Sequence, residues 1–115
     1  VNTGTRPDEL TAALDAAPGP ALVYVTAEWC TSCRVIEREV LPDPGVQAAL
    51  ARVTPIAVDV TRFDADGQAL LDQLASVGPP TLVFLNTARS ELPDSRLVGE
   101  FHAEDLIAAL GRLEP

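Results

Sequence analysis

Two hydrophobic rhythms alternate along the chain, separated by clusters of Pro, Gly and Asp. Thr5-Arg6-Pro7-Asp8-Glu9 reads as a helix start: a capping hydroxyl, an early Pro, then acids. Leu10, Ala13 and Leu14 supply an apolar stripe, and Pro18-Gly19-Pro20 ends it. Ala21 to Ala27 is apolar on both faces and suits the middle of a parallel sheet. A helix is expected from near Cys30 towards Leu41, interrupted by Pro42-Asp43-Pro44. Asp43 then caps a second helical piece with Pro44 at its first position and Val46, Ala49 and Leu50 facing inward.

The second half repeats the alternation. Thr54 to Val60 is β-branched and reads as a strand, and Asp64 to Ala75 as a helix with Leu70, Leu71 and Leu74 inward. Gly78-Pro79-Pro80 breaks the chain before a strand over Thr81 to Leu85. Asn86 to Pro93 is a polar turn, Leu97 to Phe101 a short strand antiparallel to its predecessor, and Ala103 to Leu113 a closing helix. There is no repeat, low-complexity tract or internal linker. Strands alternating with helices predict an α/β fold with helices on both faces of the sheet, and the final strand pair makes that sheet mixed.

Composition narrows this picture. At 115 residues the chain is expected to form one domain, residues 1–115, with a real core. The apolar runs are too short to span a bilayer. Val1 and the lack of Met lead us to expect a segment excised from a larger protein. A formal net charge of −9 argues against nucleic acid and anionic membrane surfaces as partners.

The chemistry sits in Trp29-Cys30-Thr31-Ser32-Cys33, which holds both cysteines of the chain. A Cys-x-x-Cys at a strand-to-helix junction reads as a redox dithiol. At a helix start a cysteine faces unpaired N–H groups and the positive end of the helix dipole. Both favour the thiolate, the nucleophile of disulfide exchange. Cys30 is expected to be the more exposed, attacking thiolate and Cys33 the buried resolving thiol. A structural zinc site needs four ligands, and beyond the cysteines the chain offers only His102 and carboxylates, so no metal is expected. A purely structural disulfide closing so short a loop would restrain the unfolded chain little.

Neighbouring residues carry subsidiary roles. Trp29 either packs over the dithiol or anchors the end of the sheet. Arg34 either favours the thiolate and steers an acidic partner or is solvated. Glu37, four residues after Cys33, shares its helix face. A partly buried carboxylate there is a candidate proton acceptor for Cys33; the plainer alternative is a surface pair with Arg34 or Arg38. Asp59 is expected to cap a turn and His102 to start the last helix, while Glu28 lies near the rim of the site.

The element order, Trp-Cys-x-x-Cys and the later Pro80-Thr81 together resemble the thioredoxin fold over nearly the whole chain. Glu37, Asp43-Pro44-Gly45-Val46-Gln47, Asp59-Val60-Thr61, Gln68-Ala69-Leu70-Leu71 and Val77-Gly78-Pro79-Pro80-Thr81 sharpen this. Together they resemble the C-terminal thioredoxin-like domain of the DsbD family. The resemblance implies a cis bond before Pro80, facing the dithiol. It also implies a domain of an inner-membrane protein, located in the periplasm, that needs no cofactor. Such a domain takes electrons from its parent's transmembrane domain and passes them to the N-terminal domain, and the resemblance also implies a part in cytochrome c biogenesis. Two positions depart from the family pattern. Tyr24 stands where a buried Asp is usual, and a phenol with an ordinary pKa of about 10 is a poor base that can still donate a hydrogen bond to a thiolate or to Glu37. Pro79 lacks the N–H that would pair with a docked partner.

Three other functions remain open on the sequence: a free-standing, cytoplasmic thioredoxin-like reductase; an oxidising or isomerising enzyme; and a non-catalytic thioredoxin-like binding module.

Overall fold

A computed structural model describes residues 2–113. Its five strands are β1 (Asn2–Gly4), β2 (Ala21–Thr26), β3 (Thr54–Asp59), β4 (Thr81–Leu85) and β5 (Leu97–Val98), in the sheet order β1-β3-β2-β4-β5. Its α-helices are α1 (Pro7–Ala16), α2 (Thr31–Val35), α3 (Pro44–Leu50), α4 (Ala65–Leu74) and α5 (Ala103–Arg112). A π-helical turn, Ile36–Val40, continues α2.

β2 lies at the centre, as its unbroken apolar run predicts, but only one neighbour is parallel. β3 pairs with it in parallel and β4 antiparallel. The sheet is therefore mixed at β2–β4 as well as at β4–β5, where the final pair was expected to make it so. The register explains this: Thr81, the first residue of β4, lies opposite Val25 near the end of β2. The α4 connection thus brings the chain back to the end of the sheet where β3 finished.

Both sheet faces are covered. Val23, Val25, Val58 and Val83 pack with Leu10 of α1 and Leu70, Leu71 and Leu74 of α4. On the opposite face Leu22, Leu82 and Phe84 pack with Ile36, Val40, Val46, Leu106 and Leu110. Even and odd residues of β2 and β4 thus serve different layers, as the two-residue period of a strand requires.

Several boundaries differ from expectation. β1 is an additional edge strand, parallel to β3, and Asn-Thr-Gly carries no apolar pattern to reveal it. The cap of α1 is Arg6, not Thr5. Glu9 reaches back to accept the N–H groups of Thr5 and Arg6, and these bonds, that from Thr5 foremost, hold its carboxyl below the ordinary value. Asp43 does cap α3, accepting Val46 N–H at 3.1 Å, and Asp64 caps α4 through Gly67 N–H at 3.0 Å. β5 stops at Val98 rather than reaching Phe101. Gly99 follows with φ +81°, a left-handed conformation that favours glycine and turns the chain out of the sheet. The long helix expected after Cys30 changes to π geometry at Ile36, where Leu41 N–H bonds Ile36 C=O at 2.9 Å.

Candidate active site

β2 ends at Thr26, and the loop from Ala27 carries the chain over the edge of the core to Cys30. Cys30 is the N-cap of α2, and its Sγ accepts the N–H of Cys33 at 3.1 Å. The two cysteines form a disulfide with Cα atoms 5.2 Å apart. Cys30 retains 6 % exposure and Cys33 none, so Cys30 is the more exposed residue of the pair. The N–H directed at Cys30 Sγ stabilises negative charge there, which is what an attacking thiolate requires.

Behind the dithiol lies a polar cluster centred on Glu37. Its Oε2 accepts from Tyr24 Oη at 3.0 Å, Thr26 Oγ1 at 3.0 Å and Arg34 Nη2 at 2.9 Å. The Glu37 side chain is 34 % exposed, so it is part-buried, and it is paired with Arg34, the plainer of the two expectations for it. Arg38 pairs with Glu39 instead. Arg34 Nη2 also donates to Thr26 Oγ1 and to Ala27 C=O, each at 3.2 Å. It is thus not simply solvated: it ties α2 to the end of β2.

The Tyr24 hydroxyl lies within 3.4 Å of Cys33 C=O as well as of Glu37, so the two acceptors share one donor. It is connected to the backbone of Cys33. Burial first, and then the Glu37 carboxylate, push the phenol above its ordinary value. Tyr24 therefore stays protonated and acts as a donor.

Trp29 projects away from this cluster. Its Nε1 donates to Thr61 C=O at 2.8 Å and its ring meets Phe63 edge-on, with centroids 6.5 Å apart. Both aromatic side chains are 55 % exposed. Thr61 in turn receives the Glu28 N–H on its Oγ1 at 2.8 Å, and Asp59 accepts from Thr61 N–H, so Asp59 caps the turn as expected. His102 sits at the N-cap of α5, with its N–H bonded to Asp105.

The Pro79–Pro80 peptide bond is cis. Val25 pairs with Thr81, so Pro80 immediately precedes β4 at the end of the sheet where β2 leads to the dithiol. The turn is closed by hydroxyls: Ser76 Oγ accepts Gly78 N–H at 3.2 Å and donates to Thr81 Oγ1 at 3.0 Å, which donates to Gly78 C=O at 2.6 Å. Gly78, at φ +146°, adopts a conformation that side chains rarely allow.

Several residues at the site were not singled out by sequence. Thr26, Phe63, Ser76 and Glu100 come from separate segments of the chain, and Ser32 Oγ donates to Glu100 Oε2 at 3.3 Å. No local pattern marks a contact between residues 68 positions apart. Among the described residues no group of His, Cys, Asp and Glu is arranged to hold a metal, and no helix is long and apolar enough to cross a membrane. The arrangement is equipped for thiol–disulfide exchange: a helix-capping cysteine, a fully buried partner cysteine, and a polar cluster around the single carboxylate of Glu37, linked to the Cys33 backbone through Tyr24.

Comparison with known proteins agrees. The thioredoxin-like family matches residues 7–87. The thiol:disulfide interchange protein DsbD of Pectobacterium atrosepticum is 37% identical over 107 residues, covering 93% of this chain and 18% of that protein. DsbD 1 of Pseudomonas aeruginosa is 40% identical over 111 residues, covering 94% and 19%. The chain thus spans under a fifth of the length of these curated relatives. The oxidised DsbD C-terminal domain of Neisseria meningitidis superposes with TM-score 0.83 at 24% identity, covering 97% of this chain and 99% of that one. A thioredoxin from Thermus thermophilus gives TM-score 0.71 at 26% identity, covering 97% and 85%.

Proposed function

The chain belongs to the thioredoxin-like family, and from that premise we propose that it is the electron-relaying, DsbD C-terminal type of thiol–disulfide oxidoreductase. The observation that carries this is the Cys30–Cys33 disulfide at the first turn of α2, with Cys30 Sγ accepting the Cys33 N–H. Similarity to DsbD proteins over more than nine-tenths of this chain supports the choice within the family.

In the reducing direction the Cys30 thiolate attacks a partner disulfide. A Cys30–partner S–S bond forms and one partner sulfur leaves as thiolate. Cys33 then loses its proton and attacks the Cys30 sulfur, closing the Cys30–Cys33 bond and releasing the second partner sulfur. Two electrons pass to the partner, and the reverse sequence with a dithiol donor recharges the pair. Glu37 is the proton acceptor for Cys33, directly or through water. Its Oε2 already receives three donors, which leaves Oε1 for the proton. Trp29 and Pro80 frame the partner's approach, and Tyr24 holds Glu37 in place.

The donor is the membrane-embedded part of a larger parent and the acceptor a periplasmic domain of the same protein; residues 1–115 form one domain of it. The similarity to DsbD proteins, of which this chain matches under a fifth, supports that assignment.

The test is capture. With Cys33→Ser in the full parent protein, the mixed disulfide on Cys30 persists and its partner can be identified by mass spectrometry. Capture of the parent's own other domains is expected. Capture of many unrelated cytosolic proteins would instead mean a general reductase. A correctly folded protein that fails to reduce insulin would mean a binding module.

A further inference from the structure

Ser32 stands between the two cysteines, and its hydroxyl has one proton to give. That proton goes to Glu100 Oε2, at 3.3 Å. Glu100 is carried there by backbone geometry. Val98 pairs with Thr81, Gly99 N–H bonds Pro80 C=O at 3.0 Å, and the left-handed turn at Gly99 leads into Glu100. No atom lies within 4 Å of a Cβ built at Gly99, so the conformation and not crowding calls for glycine there. The segment after β5 therefore links the Pro80 turn to the dithiol loop.

A hydroxyl whose proton is committed to a carboxylate is not a donor to sulfur. Cys30 Sγ accepts from the Cys33 N–H. Each further donor to a thiolate lowers its pKa, stabilises the reduced protein and makes the pair more oxidising. The other charged groups on elements around the dithiol are Glu28 before it, Arg34, Glu37, Arg38 and Glu39 on the helical run that follows it, and Asp59, Arg62 and Asp64 at and after the end of β3. Arg34 and Glu37 are bonded to each other.

We propose that Glu100 is a positioning residue of the dithiol: by holding the Ser32 hydroxyl proton away from Cys30 it keeps the pair reducing. The proposal rests on the exchange function above and adds to it the residue that sets the poise.

The experiment compares the reduced protein with Glu100→Ala, Ser32→Ala, the double variant and Glu100→Gln. The Cys30 pKa is read from thiolate absorbance, and the equilibrium against glutathione is read at fixed pH. With Ser32 present, Glu100→Ala lowers the Cys30 pKa by about half a unit, roughly threefold more thiolate below the pKa, and moves the glutathione equilibrium towards the dithiol. In the Ser32→Ala background the same change has at most half that effect, because only the charge is lost. Glu100→Gln, which keeps an acceptor for the hydroxyl, stays nearer the parent than Glu100→Ala. Equal falls in both backgrounds would assign the effect to charge alone and overturn the proposal, as would no fall at all. Glu100 is exposed and Ser32 half-buried at the surface, so thermal midpoints should be unchanged across the set. Failure of the exchange function would show separately, as an unsubstituted protein that does not reduce insulin.

Discussion

The hydroxyl of Tyr24 donates to Glu37 Oε2 at 3.0 Å, which joins the half-buried phenol of β2 to the carboxylate of the π-helical turn. A protonated phenol takes no proton from Cys33; in the proposed mechanism its part is to hold Glu37, the proposed acceptor.

Tyr24 is the chain's single tyrosine, so its titration can be followed alone. Burial, and after it Glu37, raise its pKa above the ordinary phenol value of about 10. The unfolded chain therefore loses the phenolic proton at lower pH than the folded one. The resulting stability is fully present below about pH 10 and is lost as pH rises through the folded pKa. Tyrosinate absorbance in the folded protein is expected to lag well behind that of the urea-unfolded chain. Coincident titrations would contradict the geometry. Tyr24→Phe should destabilise by about 1 kcal/mol in urea unfolding at neutral pH and remove that alkaline loss.

Glu37→Gln keeps acceptor and donor groups near Oε2 but removes the base. Resolution of a Cys30 mixed disulfide should slow on the order of tenfold or more at neutral pH. The rate should then climb with pH as the Cys33 thiol ionises unaided. Stopped-flow release of a fluorescent thiol from Cys30 across pH reads both effects, and superimposable profiles for the two proteins would remove Glu37 from the mechanism.

Pro79 offers a partner a carbonyl but no N–H. A Pro79→Thr change restores the donor, and the gain of one hydrogen bond is worth about 0.5–1.5 kcal/mol. Partner reduction should then show a KM lower by roughly threefold to tenfold, with little change in kcat. An unchanged or higher KM would indicate that docking does not use backbone pairing at this position.

Arg89 gives a prediction about stability at the far end of the sheet. Its guanidinium donates to Leu14, Ala17, Gly19 and Asn86 carbonyls, at distances down to 2.7 Å. It thereby closes the C-terminal end of α1, where carbonyls lack partners and a cation is favoured. Arg89→Ala should cost about 3 kcal/mol, measured by urea unfolding. Exchange activity of the folded fraction should be unaffected, since Leu85 pairs with Ala21 at the end of β2 away from Cys30.

What the sequence determined by itself is local. The unbroken apolar runs of β2 and β4, the helical stripes of α1 and α4, the cap at Asp43, and the position of Cys30 at a helix start all depend on neighbours a few residues apart. These are interactions that short-range spacing encodes. The dithiol was legible for the same reason. Tertiary structure alone decided the antiparallel β2–β4 pairing, the β1 edge, and the change from α to π geometry after Val35. It also decided what surrounds the sulfurs: Thr26 and Tyr24 on Glu37, Thr61 and Phe63 on Trp29, and Glu100 on Ser32. Each of these pairs joins residues from different elements. Their meeting depends on sheet order and register, which emerge only when the whole core packs.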